Sequence, residues 1–300
     1  MAAVAVVGAE TMKQRADRVG IGWRPELSAG ILAHQDELDL VEVIAEDYFE
    51  APRRNIRALT TLASQLPVML HGVGMGVASI APVPRKYFER MARLADQVKP
   101  EAWSEHLAFV RVGELEIGHL AVPPRTQANV EGTAENLYRA TRIVGSKPHV
   151  ENIATLLDPP GSSMSESEWA RKILDATGCE LLFDLHNVYA NGLNHGYRPS
   201  EYLDAIGVER IRYLHIAGGK MIAAPDGTNR LLDDHLHEVP DPVYALLEKV
   251  AAVARQPLTV ILERDGDYPS MEQLLQQTRR ARSAFARGRM RNRAWLESAA

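Results

Sequence analysis

Short, nearly continuous apolar runs recur along the chain, and most of them end in a side chain able to bind a metal ion. LVEVIAED closes on Glu46 and Asp47, PVMLHGV on His71, AWSEHL on Glu105 and His106, and HVENI on Glu151 and Asn152. LLFDLHN closes on Asp184, His186 and Asn187, IRYLHIAGG on His215, and LTVILERDG on Glu263. Runs without strict alternation suit strands buried on both faces, as in a parallel sheet. They predict eight strands, near 19–23, 40–44, 67–72, 102–107, 149–153, 181–185, 211–216 and 258–263.

Segments of helical period lie between and after them, near 28–38, 52–65, 84–98, 127–144, 165–177, 199–206, 241–254 and 270–285. Ser28, Ser165 and Ser200 can cap helix starts, and Pro84, Pro199 and Pro242 suit a first helical turn. Strand then helix, eight times over, predicts a (β/α)8 TIM barrel. It forms a single domain over 18–285, between a flexible lead-in at 1–17 and an Arg-rich tail at 286–300. A doubly wound sheet would need a topological switch point and usually a Gly-rich phosphate loop after its first strand. GWRPELSAG offers neither.

Two connections are long. LAFVRVGELEIGHLAVPPRT, after the fourth strand, reads as a hairpin turning at Gly113. AGGKMIAAPDGTNRLLDDHLHEVPDP, after the seventh, is longer than an ordinary loop. Both belong to the C-terminal face of the barrel, where active sites of this fold sit, and could wall a substrate channel.

A net charge of −5 with 24% charged residues argues against a general nucleic-acid binder. The single cysteine, Cys179, excludes an internal disulfide and a thiolate-held cluster, and reads as a small buried residue. MAAVAVVGAE lacks the basic lead of a signal peptide, and no apolar run approaches the roughly 20 residues that span a bilayer. A cytoplasmic protein without membrane partners is expected. The seven arginines of RRARSAFARGRMRNRAW read as a solvated helix face and tail, or alternatively as a docking surface for an acidic partner segment.

In a barrel, residues at the ends of different strands converge. His71, His106, Glu151, Asp184, His215 and Glu263 come from six strand ends, and Asp233 and His235 from the loop after the seventh strand. A single catalytic ion needs about three protein ligands, so these eight candidates imply two or three ions, with Glu151 as a bridge. Buried carboxylates this close resist joint ionisation unless cations compensate. Imidazole plus carboxylate suits iron, manganese or zinc. Asn152, His186 and Asn187 are candidates for orienting the ligands or facing an open coordination position. Glu46, Asp47 and Glu105 form a second tier, His237 a rim or substrate contact, and His34, His119, His149 and His195 surface or loop residues.

Taken in order and spacing, GIGWRPEL, LHGVGMGVAS, SEHLAF, VENIATLL, FDLHNVYANG, YLHIAGG, LDDHLHEVPDPVYALL and ERDG resemble the multinuclear non-heme iron-dependent oxidative enzymes, the family that includes the methanobactin maturase. The resemblance covers roughly 18–280. It implies a TIM barrel related to xylose isomerase-like proteins, holding two or three iron ions, Fe(II) or Fe(III), with O2 as cosubstrate. It also implies a cysteine-containing precursor peptide as substrate and a separate leader-binding partner protein. The family's metal positions carry over to His71, His106, Glu151, Asp184, His215, Asp233, His235 and Glu263. FDLHN has His186 where relatives often have Asn, and DDHLHEV is richer in His than usual.

Two other readings use the same ligands. A zinc endonuclease would need a basic groove for phosphates, which an acidic chain does not advertise. A sugar isomerase would normally set an acid–base group such as lysine near its metals, and only Lys220 follows a strand end. A metal-storing or peptide-carrying protein without turnover is the third possibility.

Overall fold

The computed structural model describes residues 16–113, 115–224 and 227–298. Eight strands close a parallel barrel: β1 (Arg18–Gly22), β2 (Val41–Ile44), β3 (Val68–Gly72), β4 (Ala102–His106), β7 (His149–Glu151), β8 (Glu180–Asp184), β9 (Ile211–Ile216) and β12 (Thr259–Leu262). Neighbours pair in chain order around the ring, and β12 closes it against β1 with Ile21 opposite Leu262. The (β/α)8 barrel expected from the sequence is therefore the fold.

Alternation along the strands sorts their side chains into an outer layer under the helices and an inner column. Val43, Leu70, Trp103, Val150, Leu181, Phe183, Leu214 and Val260 join the large core beneath the helices. Leu40, Met69, Leu182, Tyr213 and Ile261 form a separate apolar floor inside the barrel. Two residues further along the same faces stand Glu42, His71, Asp184, His215 and Glu263, because period two returns each side chain to the same side. The floor is packed to contact: a Cβ at Gly20 would fall 2.5 Å from Leu40 Cδ2, so β1 must leave that space to its neighbour.

The connection after β4 forms the hairpin β5 (Phe109–Val112) and β6 (Leu115–Ala121), as its alternation suggests, with Gly113 at φ +59°. The connection after β9 holds a second hairpin, β10 (Lys220–Ala223) and β11 (Asn229–Leu232). Its sequence reads only as a long loop, although Asp-Gly between two apolar-containing segments is a hairpin signal.

Two helix starts differ from expectation. Ser165 caps Glu166–Thr177 by accepting from Glu168 N, but Ser28 Oγ instead donates to Pro25 O, and Pro199–Ile206 begins after Arg198 without a side-chain cap. An additional helix, Leu185–His195, follows β8 directly. Its Asn and Gly content argues against a helix, but the asparagines brace neighbouring loops: Asn191 Nδ2 donates to Ile153 O, and Asn194 Nδ2 to Thr155 O and Leu231 O. Tertiary bonds override weak propensity here.

The last helix runs Met271–Ser298, so the expected boundary at 285 falls inside it, while of the lead-in expected at 1–17 only residues 16 and 17 are described. Its arginines turn to the barrel's own carboxylates. Arg279 pairs with Glu37 at 2.7 Å, Arg282 with Asp39 at 2.7 Å, Arg287 with Glu248 at 2.6 Å, Arg289 with Asp17 at 2.7 Å and Arg291 with Glu248 at 2.8 Å, while Arg280 pairs with Asp241. The basic face is largely satisfied within the chain. Cys179 is buried in the helix-side core, and no described helix is long and apolar enough to cross a membrane.

Candidate metal centre

Six of the eight sequence-predicted ligands converge above the apolar floor. His71, His106 and Glu151 form one group, and Glu151, Asp184, His215 and Glu263 a second, with ligand atoms in each group within 4.8 Å of one another. Glu151 belongs to both. His71 Nε2 and His106 Nε2 lie 3.5 and 3.4 Å from Glu151 Oε2, while His215 Nδ1 lies 3.1 Å from both Glu151 Oε1 and Glu263 Oε2. Every one of these side chains is buried.

The opposite edge of each imidazole is anchored, which decides the nitrogen offered to the centre. His71 Nδ1 is 2.7 Å from Ser104 Oγ, and His106 Nδ1 is 3.1 Å from Gly72 O. His215 Nε2 is 2.9 Å from Glu42 Oε2. Glu42 also forms a third candidate group with His71 and Glu263. Sequence reading overlooked it by assigning the strand's chemistry to its end. The available signal was a lone carboxylate inside the apolar run LVEVI.

Asp233 and His235 arrive from the loop beyond β11 and stand outside those three groups. They form an adjoining cluster: Asp233 Oδ1 lies 2.8 Å from His186 Nδ1 and 2.9 Å from His235 Nε2. His235 adopts φ +53° and sets Nδ1 3.1 Å from Asp265 Oδ2 and 3.7 Å from Glu263 Oε2. Arg24 Nε donates to Asp265 Oδ1 at 3.0 Å, completing a rim that sequence reading did not foresee. Gly219 allows this approach, since a Cβ there would sit 2.8 Å from His186 Cε1.

The three candidates for ligand orientation or an open position part company. Asn152 exchanges two hydrogen bonds with the backbone of Asp184, donating to its carbonyl and accepting from its N–H, both at 3.0 Å, and so ties β7 to β8. Asn187 donates through Nδ2 to Asn152 O, lines the cavity, and leaves Oδ1 buried without a partner. His186 also leaves Nε2 unpartnered. Asp184 caps their helix by accepting from Asn187 N at 2.7 Å.

The second-tier residues face elsewhere. Glu105 is fully buried and accepts from Met75 N, Glu46 accepts from Val73 N and Gly74 N, and Asp47 is exposed. His149 is not a surface residue: it is largely buried against the Tyr213 ring. His237 is an exposed rim residue bonded to Asp234, while His119 lines the cavity.

Electrostatics show what the centre lacks. Burial, then the neighbouring imidazoles His106 and His215, hold His71 well below its ordinary value, and burial lowers His106 to about 4, so both are neutral and ready to ligate. Burial lifts Glu151 far above the carboxylate range, and burial with Asp233 and Glu263 lifts Asp184 to about 6. Burial opposes charge on His215, but Glu263, Glu42 and Glu151 outweigh it and raise its value. Glu151 Oε2, Asp184 Oδ2 and Glu263 Oε2 are buried without hydrogen-bond partners. Buried acceptors rarely remain unpaired, and divalent cations held by the two groups would satisfy them. The donor set therefore fits a multinuclear metal centre without thiolates.

The centre opens into a cavity of about 600 Å3, bounded by the hairpin residues His119–Val122, the loop Ile153–Leu157 and Leu231–Asp233. Solved structures of similar fold include D-psicose 3-epimerase from Clostridium cellulolyticum H10 (TM-score 0.59, 9% identity, 92% of this chain and 99% of that one). A 3-keto-D-glucoside 4-epimerase from E. coli is comparable (TM-score 0.57, 14% identity, 89% and 99%). At such identities the likeness concerns the barrel alone. A UPF0276 protein of Caulobacter vibrioides is 33% identical over 274 residues, covering 91% of this chain and 96% of its own length. The family model described as RiPP precursor modification enzyme MbnB/TglH/ChrH matches residues 18–286. With a barrel, a clustered ligand set and a match across nearly the whole fold, the chain belongs to the MbnB/TglH/ChrH family of multinuclear non-heme iron-dependent oxidative enzymes.

Proposed function

We propose that the protein is a non-heme iron-dependent peptide-modifying oxidoreductase, using O2 to modify a cysteine-containing, ribosomally made precursor peptide. The observation carrying this reading is the pair of ligand groups sharing Glu151, with unpartnered carboxylate oxygens at the floor of a cavity large enough for a peptide segment. In it, His71, His106 and Glu151 would hold one iron, and Glu151, Asp184, His215 and Glu263 another. Asp233, His235 and His186 adjoin them and would hold a third ion if one binds. Bound iron supplies the redox chemistry and a site for O2 and thiolate.

The chain's own residues supply geometry. Ser104, Gly72 O and Glu42 orient the three imidazoles, the apolar floor keeps water from below, and Asn187 Oδ1 offers an acceptor beside the open side. A separate partner protein holds the peptide leader and raises the local concentration of the reacting segment. A cytoplasmic location, where the thiol stays reduced, belongs to the same reading.

Co-expression with precursor peptides encoded nearby, followed by mass spectrometry, tests it. An oxygen-dependent mass change confined to a cysteine region is expected. Equal turnover of cysteine-free peptides, or a change that persists without oxygen, would overturn it.

A further inference from the structure

A second cavity, of about 490 Å3, lies beneath the β5–β6 hairpin. It adjoins the metal-centre cavity, for Val73, His119 and Leu120 line both. The hairpin is irregular at that junction. Arg111 pairs with Glu116 and Phe109 with Ala121, so residues 117–120 of β6 arch outside the paired register. Gly118, at φ +75°, belongs to that arch.

The lining has a definite chemical bias. Arg111 donates to Gly74 O at 2.5 Å and Met75 O at 2.6 Å, with its guanidinium 4.0 Å from the centre of the Tyr87 ring. Arg90 faces Glu50 at 3.2 Å. Both arginines thus have partners within the protein, although Arg111 Nε is itself buried without one. Glu46 supplies the acidic group: Oε1 accepts from Val73 N and Gly74 N, and Oε2 is buried with no partner. Phe49 and Tyr87 add aromatic wall beside it. An unpaired buried carboxylate oxygen calls for a donor, and aromatic faces suit the apolar stem and charged head of a lysine or arginine.

We propose that this second cavity is a specificity subsite for residues flanking the reacting cysteine, and that it takes a lysine or arginine side chain onto Glu46 beside Tyr87. The inference rests on the peptide-substrate reading above. It gives that substrate a direction: the chain passes from the metal centre between Val73 and the arch at 117–120, then beneath the hairpin.

The test uses metal-loaded protein and fluorescein-labelled synthetic probes read by anisotropy. The probes are the tripeptide Ala-Cys-Ala and alanine nonapeptides with central Cys, carrying one Lys or one Glu at each flanking position in turn. At one position on one flank, Lys is expected to tighten binding about tenfold over the tripeptide, and Glu is not. Glu46→Gln and Tyr87→Ala should each remove most of that gain while leaving the tripeptide's Kd within about twofold. If no position shows a gain, or both variants weaken the tripeptide as much as the Lys nonapeptide, the subsite is wrong while the peptide reading stands. If no peptide binds the wild-type protein at all, the subsite falls, and the co-expression experiment above decides the peptide reading separately.

Discussion

At the residue scale, His215 shows how the barrel sets its chemistry. Nδ1 faces the shared carboxylates and Nε2 faces Glu42, so one ring edge is left for metal only because a second carboxylate holds the other. Outer partners of this kind typically change metal affinity 10–100-fold. Glu42→Gln should therefore weaken metal binding by roughly that factor and leave the fold intact, as measured by competition with a chelator. Unchanged affinity would show that His215 needs no such anchor. The two glutamates of the centre should also differ. Glu151→Gln is expected to lose more than one metal ion, because Glu151 belongs to both groups, whereas Glu263→Gln should lose about one, as read by metal analysis. Full content in both variants would remove them from the ligand set. His71, His106, Glu151, Asp184, His215 and Glu263 were legible because each closes an apolar run. Glu42 was not, since a run that continues past a carboxylate gives no sign of which face it occupies until the register is known. Arg24 and Asp265 lie inside the motifs GIGWRPEL and ERDG, but their pairing is a property of the rim's geometry that neither motif shows.

At the scale of elements, the eight strands were readable to within a residue or two because continuous apolar runs are hard to place elsewhere. The helix Leu185–His195 was not, because it owes its form to contacts with other loops, whereas the β10–β11 hairpin carried a signal, Asp-Gly, that the length of the connection obscured. Glu166, at the first turn of its helix, offers a test of one such buried contact. Burial lifts its carboxyl to about 7, despite Arg125 and hydrogen bonds from Tyr197 and Asn191. Its folded value lies above the roughly 4.3 of an unfolded chain. Its contribution to stability is then complete below about pH 4 and lost as pH rises through about 7. Glu166→Gln should flatten the pH dependence of urea unfolding across that window, by on the order of 4 kcal/mol at most. An unaltered slope would place the titration elsewhere. The last helix makes a separate prediction. Arg289 bonds Asp17, Ala254 O and Gln256 O, tying the helix to the start of β1, whereas Arg280 meets Asp241 in solvent. Arg289→Ala should cost roughly 1.5–3 kcal/mol, and Arg280→Ala under about 1 kcal/mol. Equal melting shifts would mean that the helix is not pinned there.

For the whole molecule, a common barrel carries a particular centre. The structural relatives share the strand–helix ring at 9% and 14% identity, which speaks for architecture and not for chemistry. Chemistry follows from what stands above the floor: a shared carboxylate that burial holds above its ordinary range, the neutral imidazoles of His71 and His106 aimed at it, and no lysine in the described lining of the cavity. That arrangement was legible from strand-end spacing, while the second cavity beside the centre under the β5–β6 hairpin was not, because an arch out of register leaves no periodic mark. Metal analysis of anaerobically purified protein from iron-replete cells, with Mössbauer spectroscopy of the iron, tests the multinuclear iron centre most directly. The account predicts at least two iron ions per chain, coupled as neighbours; less than one iron with stoichiometric zinc would contradict it.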